Sequence, residues 1–256
     1  MSYELDKEVE GDRYERRARS LISQEEGIEP ANFGSLLLPE TLRAPYILFE
    51  KLIFENISSS DLVLEIGAGT GNNSWGVICT GASLTASDIS PTSLEILDKR
   101  ILLAGKKVTT RVADMENLPF PDQSFDSVVC AGGLSYADGK ILMDQIWRVL
   151  KPNGLFICVD SLNENPIYKL NRWLHFIRGN RTISTLKRMP SIKLLDEYGK
   201  KFGYTEIVYL GALSFFMPAL SLLIGESQAS FISNYFDSKI NVKKLAFKFV
   251  MLARKQ

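Results

Sequence analysis

The residues best placed to do chemistry lie in the stretch Asp61-Leu-Val-Leu-Glu-Ile-Gly-Ala-Gly-Thr-Gly-Asn72. Leu62, Val63, Leu64 and Ile66 make a short apolar run of the buried-strand kind, and Glu65 is the one charge inside it. Gly67, Gly69 and Gly71 then arrive at alternate positions, ahead of a segment with helical character. Strand, glycine turn and helix together form a holder for a phosphate or a nucleoside. Glycine permits the tight turn and lets backbone approach a ligand with no Cβ in between. The dinucleotide fingerprint G-x-G-x-x-G asks for a glycine where this chain has Asn72. A plain strand-to-helix turn is the other reading, and it has no need of three spaced glycines.

Two further carboxylates follow. Asp88 closes a strand-like run from Ala82 to Ser87, about 20 residues after the glycine turn begins, the spacing expected for ribose recognition. A carboxylate at a strand tip accepts hydrogen bonds from both ribose hydroxyls. Enzymes that bind NAD use the same device, so Asp88 alone does not discriminate. It also reads as a cap for the helix that Pro91 opens, a task for which Ser90 is better placed. Asp114 lies in Ala113-Asp-Met-Glu-Asn-Leu-Pro-Phe120, followed by Asp122-Gln-Ser-Phe-Asp126-Ser-Val-Val.

The pattern A-D-x-x-x-L-P-F, then D-x-S-F-D-x-V, resembles the class I S-adenosylmethionine-dependent methyltransferases of the ubiquinone/menaquinone type (methyltransferase type 11). Glu65-Ile-Gly-Ala-Gly-Thr-Gly71 resembles their first motif. The likeness spans about residues 60 to 160 and, more loosely, the last strand. It implies S-adenosyl-L-methionine as cofactor. Gly67, Ala68, Gly69 and Gly71 would cradle its methionine and ribose, and Glu65 would help hold the amino-acid end. Asp88 and Ile89 would meet the ribose side, Asp114 the exocyclic amine of adenine, and Met115 would lie by the ring. Ala131 and Gly132 would bring backbone to the methionine end, whereas Asp126 would be structural. The chain departs from the family at Gly132-Gly-Leu-Ser-Tyr136, where a histidine often stands, and at Asn153, which replaces a glycine.

In that family the sulfonium is the electrophile, so positioning the acceptor in line supplies several kcal/mol of the barrier. A general base matters mainly for a poorly acidic hydroxyl. The one histidine, His175, is the candidate base, set against a packing or surface role. Its helix predicts a buried stripe of Ile167, Leu170, Leu174 and Ile177, with Asn171, His175 and Arg178 on another face. Residues 161–190 are basic (Lys169, Arg172, Arg178, Arg181, Lys187, Arg188) and read either as an anion clamp or as a solvated face. Tyr14, Tyr136, Arg172 and Arg178 are the acceptor-binding candidates. The acceptor expected is a small molecule, a sugar or other anionic metabolite such as a sugar nucleotide or a lipid-linked glycan. Two other readings stay open. One is a catalytically silent cofactor-binding partner subunit; the other is an NAD-dependent oxidoreductase, disfavoured by Asn72 and the 113–120 string.

These residues need a scaffold. From residue 61 strands and helices alternate, with strands expected at 62–66, 83–87, 107–112, 125–130, 154–160, 205–210 and 246–252. Helices are expected at 72–79, 91–104 and 139–150, and another after Pro190. The fold class is α/β: a doubly wound, Rossmann-like, mostly parallel seven-stranded sheet with N-terminal helices and cap insertions after strands 5 and 6. One domain spans 1–256: cover helices in 1–57, a cofactor-binding core in 58–160, and acceptor-side caps at 161–190 and 211–240. The cover helices are expected around 11–25 and from Glu40, where they either roof a ligand or merely pack on the sheet. The apolar stretch 213–224 reads as a lid, a dimer face or an acceptor contact, against the plainer buried hairpin or helix.

Composition narrows the classes. The 256 residues are 45% apolar and 23% charged, with 30 Lys and Arg against 30 Asp and Glu, so no overall field favours nucleic acid. Cys79, Cys130 and Cys158 are too far apart for a disulfide framework or a metal site, and the last two read as small buried apolar groups. The N-terminus has no apolar signal segment, and Pro218 interrupts an apolar run already shorter than the roughly 18 to 20 residues of a span. The expectation is a cytoplasmic monomer or homodimer without metal.

Overall fold

The computed structural model describes residues 9, 11–13, 15, 16, 18–20, 28–177, 183–240 and 242–256, except the side chains of His175, Ile183 and Ser184. Seven strands form one sheet: β1 (Leu62–Ile66), β2 (Ser83–Asp88), β3 (Thr109–Val112), β4 (Phe125–Ala131), β5 (Leu150–Ser161), β6 (Gly203–Leu210) and β7 (Lys248–Lys255). Their order is β3-β2-β1-β4-β5-β7-β6, and only β7 runs against its neighbours. The helices are α1 (Glu40–Asn56), α2 (Trp75–Thr80), α3 (Pro91–Leu103), α4 (Gly139–Val149), α5 (Pro166–Ile177), α6 (Ile183–Arg188), α7 (Ile192–Phe202), α8 (Met217–Ile224) and α9 (Glu226–Lys239).

A parallel sheet must be covered on both faces, which explains why Val63, Leu64 and Ile66 of β1 are all buried. One face packs Val63, Val129 and Ile157 against Phe49 and Ile53 of α1, Val77 of α2 and Leu97 of α3. The other packs Leu64, Val128 and Phe156 against Leu142 and Ile146 of α4 and the α7 aromatics. Phe156, Tyr198 and Phe202 lie ring against ring there, with centroids 5.7 to 6.3 Å apart. Asp126 staples the sheet: it accepts from the Leu62 N–H at 2.9 Å and from Lys151 Nζ at 2.8 Å. Strand order reverses between β1 and β4, so a crevice opens at their carboxyl ends, which is where such sheets bind ligands.

Several boundaries differ from the sequence expectation. α2 begins at Trp75 rather than 72, because the glycine turn and its return occupy the intervening residues. β3 starts at Thr109 rather than 107. β5 starts at Leu150 rather than 154, since Leu150 already pairs with Phe125 ahead of a register shift, with Asn153 at φ 63° in the turn. The last strand runs 248–255 rather than 246–252.

Two expectations about the caps are overturned. The α5 stripe expected to be buried instead faces water: Leu170, Leu174 and Ile177 are 57%, 39% and 58% exposed. Tyr168 and Arg172 turn inward in its place. Tyr168 stacks on Phe247 with centroids 4.3 Å apart, and the Arg172 guanidinium finds the Leu162 carbonyl at 3.1 Å. The apolar 213–224 stretch, expected as a buried hairpin or helix, is helical from Met217 but not buried. The 211–240 insertion folds into α8 and α9, with Leu222 90% and Leu223 81% exposed.

Candidate functional site

A cavity of about 550 Å³ lies at the carboxyl ends of β1, β2 and β4. It brings together Glu65, Gly67, Ala68, Gly69, Asp88, Ile89, Asp114, Met115, Ala131 and Gly132, ten of the eleven residues singled out for the cofactor. The eleventh, Gly71, does not line it. A Cβ on Gly71 would sit 2.9 Å from Leu97 Cγ, so this glycine serves the packing of the turn on α3. Gly69 is the contrast. It too has positive φ, at 54°, yet a Cβ there would meet nothing of the protein within 4 Å. Gly132, at φ 74°, is the same. These two leave space for something that is not protein.

The turn is held at both ends. Ala68 N–H donates to the Ser87 carbonyl at 3.0 Å, and Gly71 N–H to the Ala68 carbonyl at 3.0 Å. Asp88 Oδ2 accepts from the Gly69 N–H at 2.8 Å, and its Oδ1 from the Ser90 N–H at 2.9 Å. Burial pushes the Asp88 carboxyl above its ordinary value, while those backbone N–H groups pull it down. Ser90, not Asp88, caps α3, with Oγ accepting from the Ser93 N–H at 3.1 Å.

Glu65 is the most unusual group. It is 3% exposed, and its Oε2 has no well-formed hydrogen bond among the described residues; the Ser74 hydroxyl lies close to the carboxyl without closing one. Burial, with the Asp88 carboxylate adding to it and Ser74 opposing, pushes its pKa up to about 7. A buried carboxylate oxygen without a partner is costly unless a ligand supplies one. On the opposite wall Asp114 Oδ1 accepts from the Glu116 N–H at 2.9 Å, and Met115 Cε lies over the glycine turn, 3.3 Å from where a Gly67 Cβ would be.

Sequence reasoning missed Arg100 and Thr185. Arg100 reaches from α3 under the glycine loop, where Nη1 donates to the Thr70 carbonyl at 2.9 Å and to Asn72 Oδ1, and Nε to the Glu29 carbonyl at 3.3 Å. The readable signal was an arginine inside the apolar face of α3, beside Leu97 and Ile101. It also shows what Asn72 does in place of a glycine. Thr185 comes from α6 and left no signal.

The walls come from the segments outside the core. Gly11, Ala18 and Leu37 line the cavity on one side, and Tyr136, Thr185 and Arg188 on another. The N-terminal helical residues are pinned by Glu15, which accepts from Ser90 Oγ at 2.7 Å and from the Thr92 hydroxyl. Those hydroxyls, Thr92 foremost, hold the Glu15 carboxyl down at about 2. Among the acceptor candidates, Tyr136 lines the cavity. Arg172 is corrected: it is 6% exposed and bonded to Leu162 and Asn163, away from the cavity. Tyr14, Arg178 and the His175 side chain lie outside the described residues. The described residues contain no cluster suited to a metal ion.

The arrangement can hold an adenosine-type ligand with a cationic amino-acid end. The unpartnered Glu65 oxygen suits an ammonium, Asp88 suits vicinal hydroxyls, and the open faces of Gly69 and Gly132 suit close backbone approach.

Residues 64–158 match the family described as "Methyltransferase domain". A demethylmenaquinone methyltransferase of Tropheryma whipplei (strain Twist) is 40% identical over 121 residues, 44% of this chain and 49% of that protein. A ubiquinone/menaquinone biosynthesis C-methyltransferase of Zymomonas mobilis is 27% identical over 153 residues, 59% of this chain and 57% of that protein. The chain thus spans about half the length of the curated relatives it matches. Among solved structures, a geranyl diphosphate methyltransferase bound to GPP and sinefungin shares the fold. Its TM-score is 0.59 at 18% identity, over 84% of this chain and 79% of that one.

Proposed function

We propose that this protein, whose residues 64–158 match a methyltransferase family, transfers a methyl group from S-adenosylmethionine to a small-molecule acceptor. The observation that carries the reading is the buried Glu65 Oε2 without a partner, facing a cavity that Asp88, Asp114 and the open Gly69 also line. When bound, S-adenosylmethionine supplies an electrophilic methyl group on its sulfonium. Glu65 holds the amino-acid ammonium, Asp88 the ribose hydroxyls, Asp114 and Met115 the adenine side, and Ala131 with Gly132 the methionine end. The chain's remaining task is to orient the acceptor and exclude water.

In this reading the acceptor is a sugar or other anionic metabolite whose polar head faces Tyr136, after β4, and Thr185 and Arg188 of the 161–190 cap. The 1–57 and 211–240 segments close the rest of the acceptor side, and the whole chain acts as one domain. The enzyme works in the cytoplasm as a monomer or homodimer.

The test is calorimetric. S-adenosylhomocysteine and NAD are titrated separately into the wild type and Asp88→Ala. Micromolar binding of S-adenosylhomocysteine, lost in the variant, is expected; binding of NAD alone overturns the reading. Release of S-adenosylhomocysteine is then followed with anionic sugars and with quinones of the kind the relatives' names specify. Arg188→Gln should raise KM for an anionic acceptor at least about tenfold without changing cofactor affinity. Cofactor binding without turnover on any acceptor would mark a silent subunit instead.

A further inference from the structure

The cavity opens at the carboxyl edge of the parallel strands, and the α5–α6 excursion after β5 and the α8–α9 excursion after β6 leave the sheet at that same edge. Both present large apolar side chains to water. On α5, Leu170, Trp173 and Ile177 are 57%, 53% and 58% exposed and fall at helical spacing. On α8, Leu222 and Leu223 protrude almost fully. The two excursions touch, for Tyr168 of α5 meets Phe215 edge to face with centroids 6.2 Å apart, and the half-exposed Phe216 packs on Phe215. The two excursions thus adjoin at this edge, and each carries exposed apolar groups.

The α5–α6 segment is locally basic in sequence, although Arg172 is buried and the exposed acid Glu226 follows α8. Residues 165–191 hold Lys169, Arg172, Arg178, Arg181, Lys187 and Arg188, six cations, and no acid. The chain as a whole is balanced at 30 against 30, so this is a local excess. Lys169 and Lys187, beside the apolar stripe and the cavity wall, are exposed. A helix with a Trp- and Leu-bearing apolar face, flanked by lysines, is the kind that lies in the interface of an anionic bilayer. No helix among the described residues is long and apolar enough to cross a membrane.

We propose that the α5 and α8 rim binds the surface of an anionic lipid membrane peripherally, with the cavity mouth turned toward the lipid. Binding to the surface stands independently of the methyltransferase reading; uptake of an acceptor with an apolar tail directly from the bilayer rests on it.

The test is sedimentation of the full chain with phosphatidylcholine vesicles, with and without phosphatidylglycerol. The expected result is pelleting with the anionic vesicles, and partitioning at least about tenfold weaker with neutral vesicles or at high salt. Leu222→Ser/Leu223→Ser and Trp173→Ser should each lower partitioning about tenfold. None of these residues lines the cavity, so unchanged S-adenosylhomocysteine affinity certifies that the variants are folded. A wild type that stays in the supernatant with anionic vesicles, or variants that pellet like it, overturns the proposal. So does a wild-type dimer that the same substitutions disperse, since the rim would then be an interface between copies. Calorimetry with S-adenosylhomocysteine reads the cofactor site separately, so failure here leaves that site standing.

Discussion

The glycine-turn side of the cavity and the cap on its rim break the ordinary rule of burial in opposite directions. At the turn, Glu65 carries a carboxylate into the interior with one oxygen unanswered, and Asp88 places another, partly buried, beside it. At the rim, Leu170, Trp173 and Leu222 carry apolar groups into water. Each is unfavourable in the chain alone, and each is corrected by something other than the chain: a cationic, hydroxyl-rich ligand inside, an apolar phase outside. The inner defects are single atoms at fixed geometry, so they select one ligand. The outer ones are areas without direction, so they select a phase.

The largest effect is expected of Asp88→Ala. It removes the acceptor for the Gly69 and Ser90 N–H groups as well as for the ribose, so S-adenosylhomocysteine affinity should fall about 100-fold by calorimetry. Vesicle partitioning should not change.

Next is the pH response of Glu65. Its folded pKa is raised to about 7 from 4.5, so the stability linked to it is fully present below 4.5 and is lost as pH rises through 7. Binding an ammonium needs the ionised form. Affinity for S-adenosylhomocysteine should therefore climb up to about tenfold per unit toward neutrality and level off above it. Glu65→Gln should abolish that slope and weaken binding at pH 8, measured by titration across the range. A slope that persists in Glu65→Gln would assign the proton to another group.

The two glycines separate packing from ligand space. Gly71→Ala forces a Cβ into Leu97 at φ 79° and should cost about 2 kcal/mol in urea unfolding. Gly69→Ala meets no protein atom, so it should lose only about 1 kcal/mol of backbone strain while weakening S-adenosylhomocysteine more than Gly71→Ala does. The smallest effect is expected in the cap. Arg172→Gln shortens the reach to the Leu162 carbonyl and should lower stability by about 1 kcal/mol with cofactor affinity intact.

Much of the cofactor side was legible in the sequence because it is local. A strand, a glycine turn and a following helix fix Glu65, Gly69 and Asp88 relative to one another within some 25 residues, and the 113–120 string does the same for Asp114 and Met115. The alternation of strands and helices likewise sufficed for an α/β sheet, since a parallel ladder needs such crossovers. What the chain alone could not decide was which partner each surface meets. Gly69 and Gly71 are the same residue in one turn, and only the position of Leu97 on α3 makes one a packing contact and the other open space. Arg100 reads as a helix arginine until the fold carries Thr70 and Asn72 within its reach. The amphipathic pattern of α5 defined two faces but not their direction. The Leu162 carbonyl and the Phe247 ring settled that by drawing Arg172 and Tyr168 inward, leaving the leucines to the outside. Local sequence determines the geometry of contiguous residues; long-range packing alone decides which face is buried, because burial belongs to pairs of surfaces and not to either one.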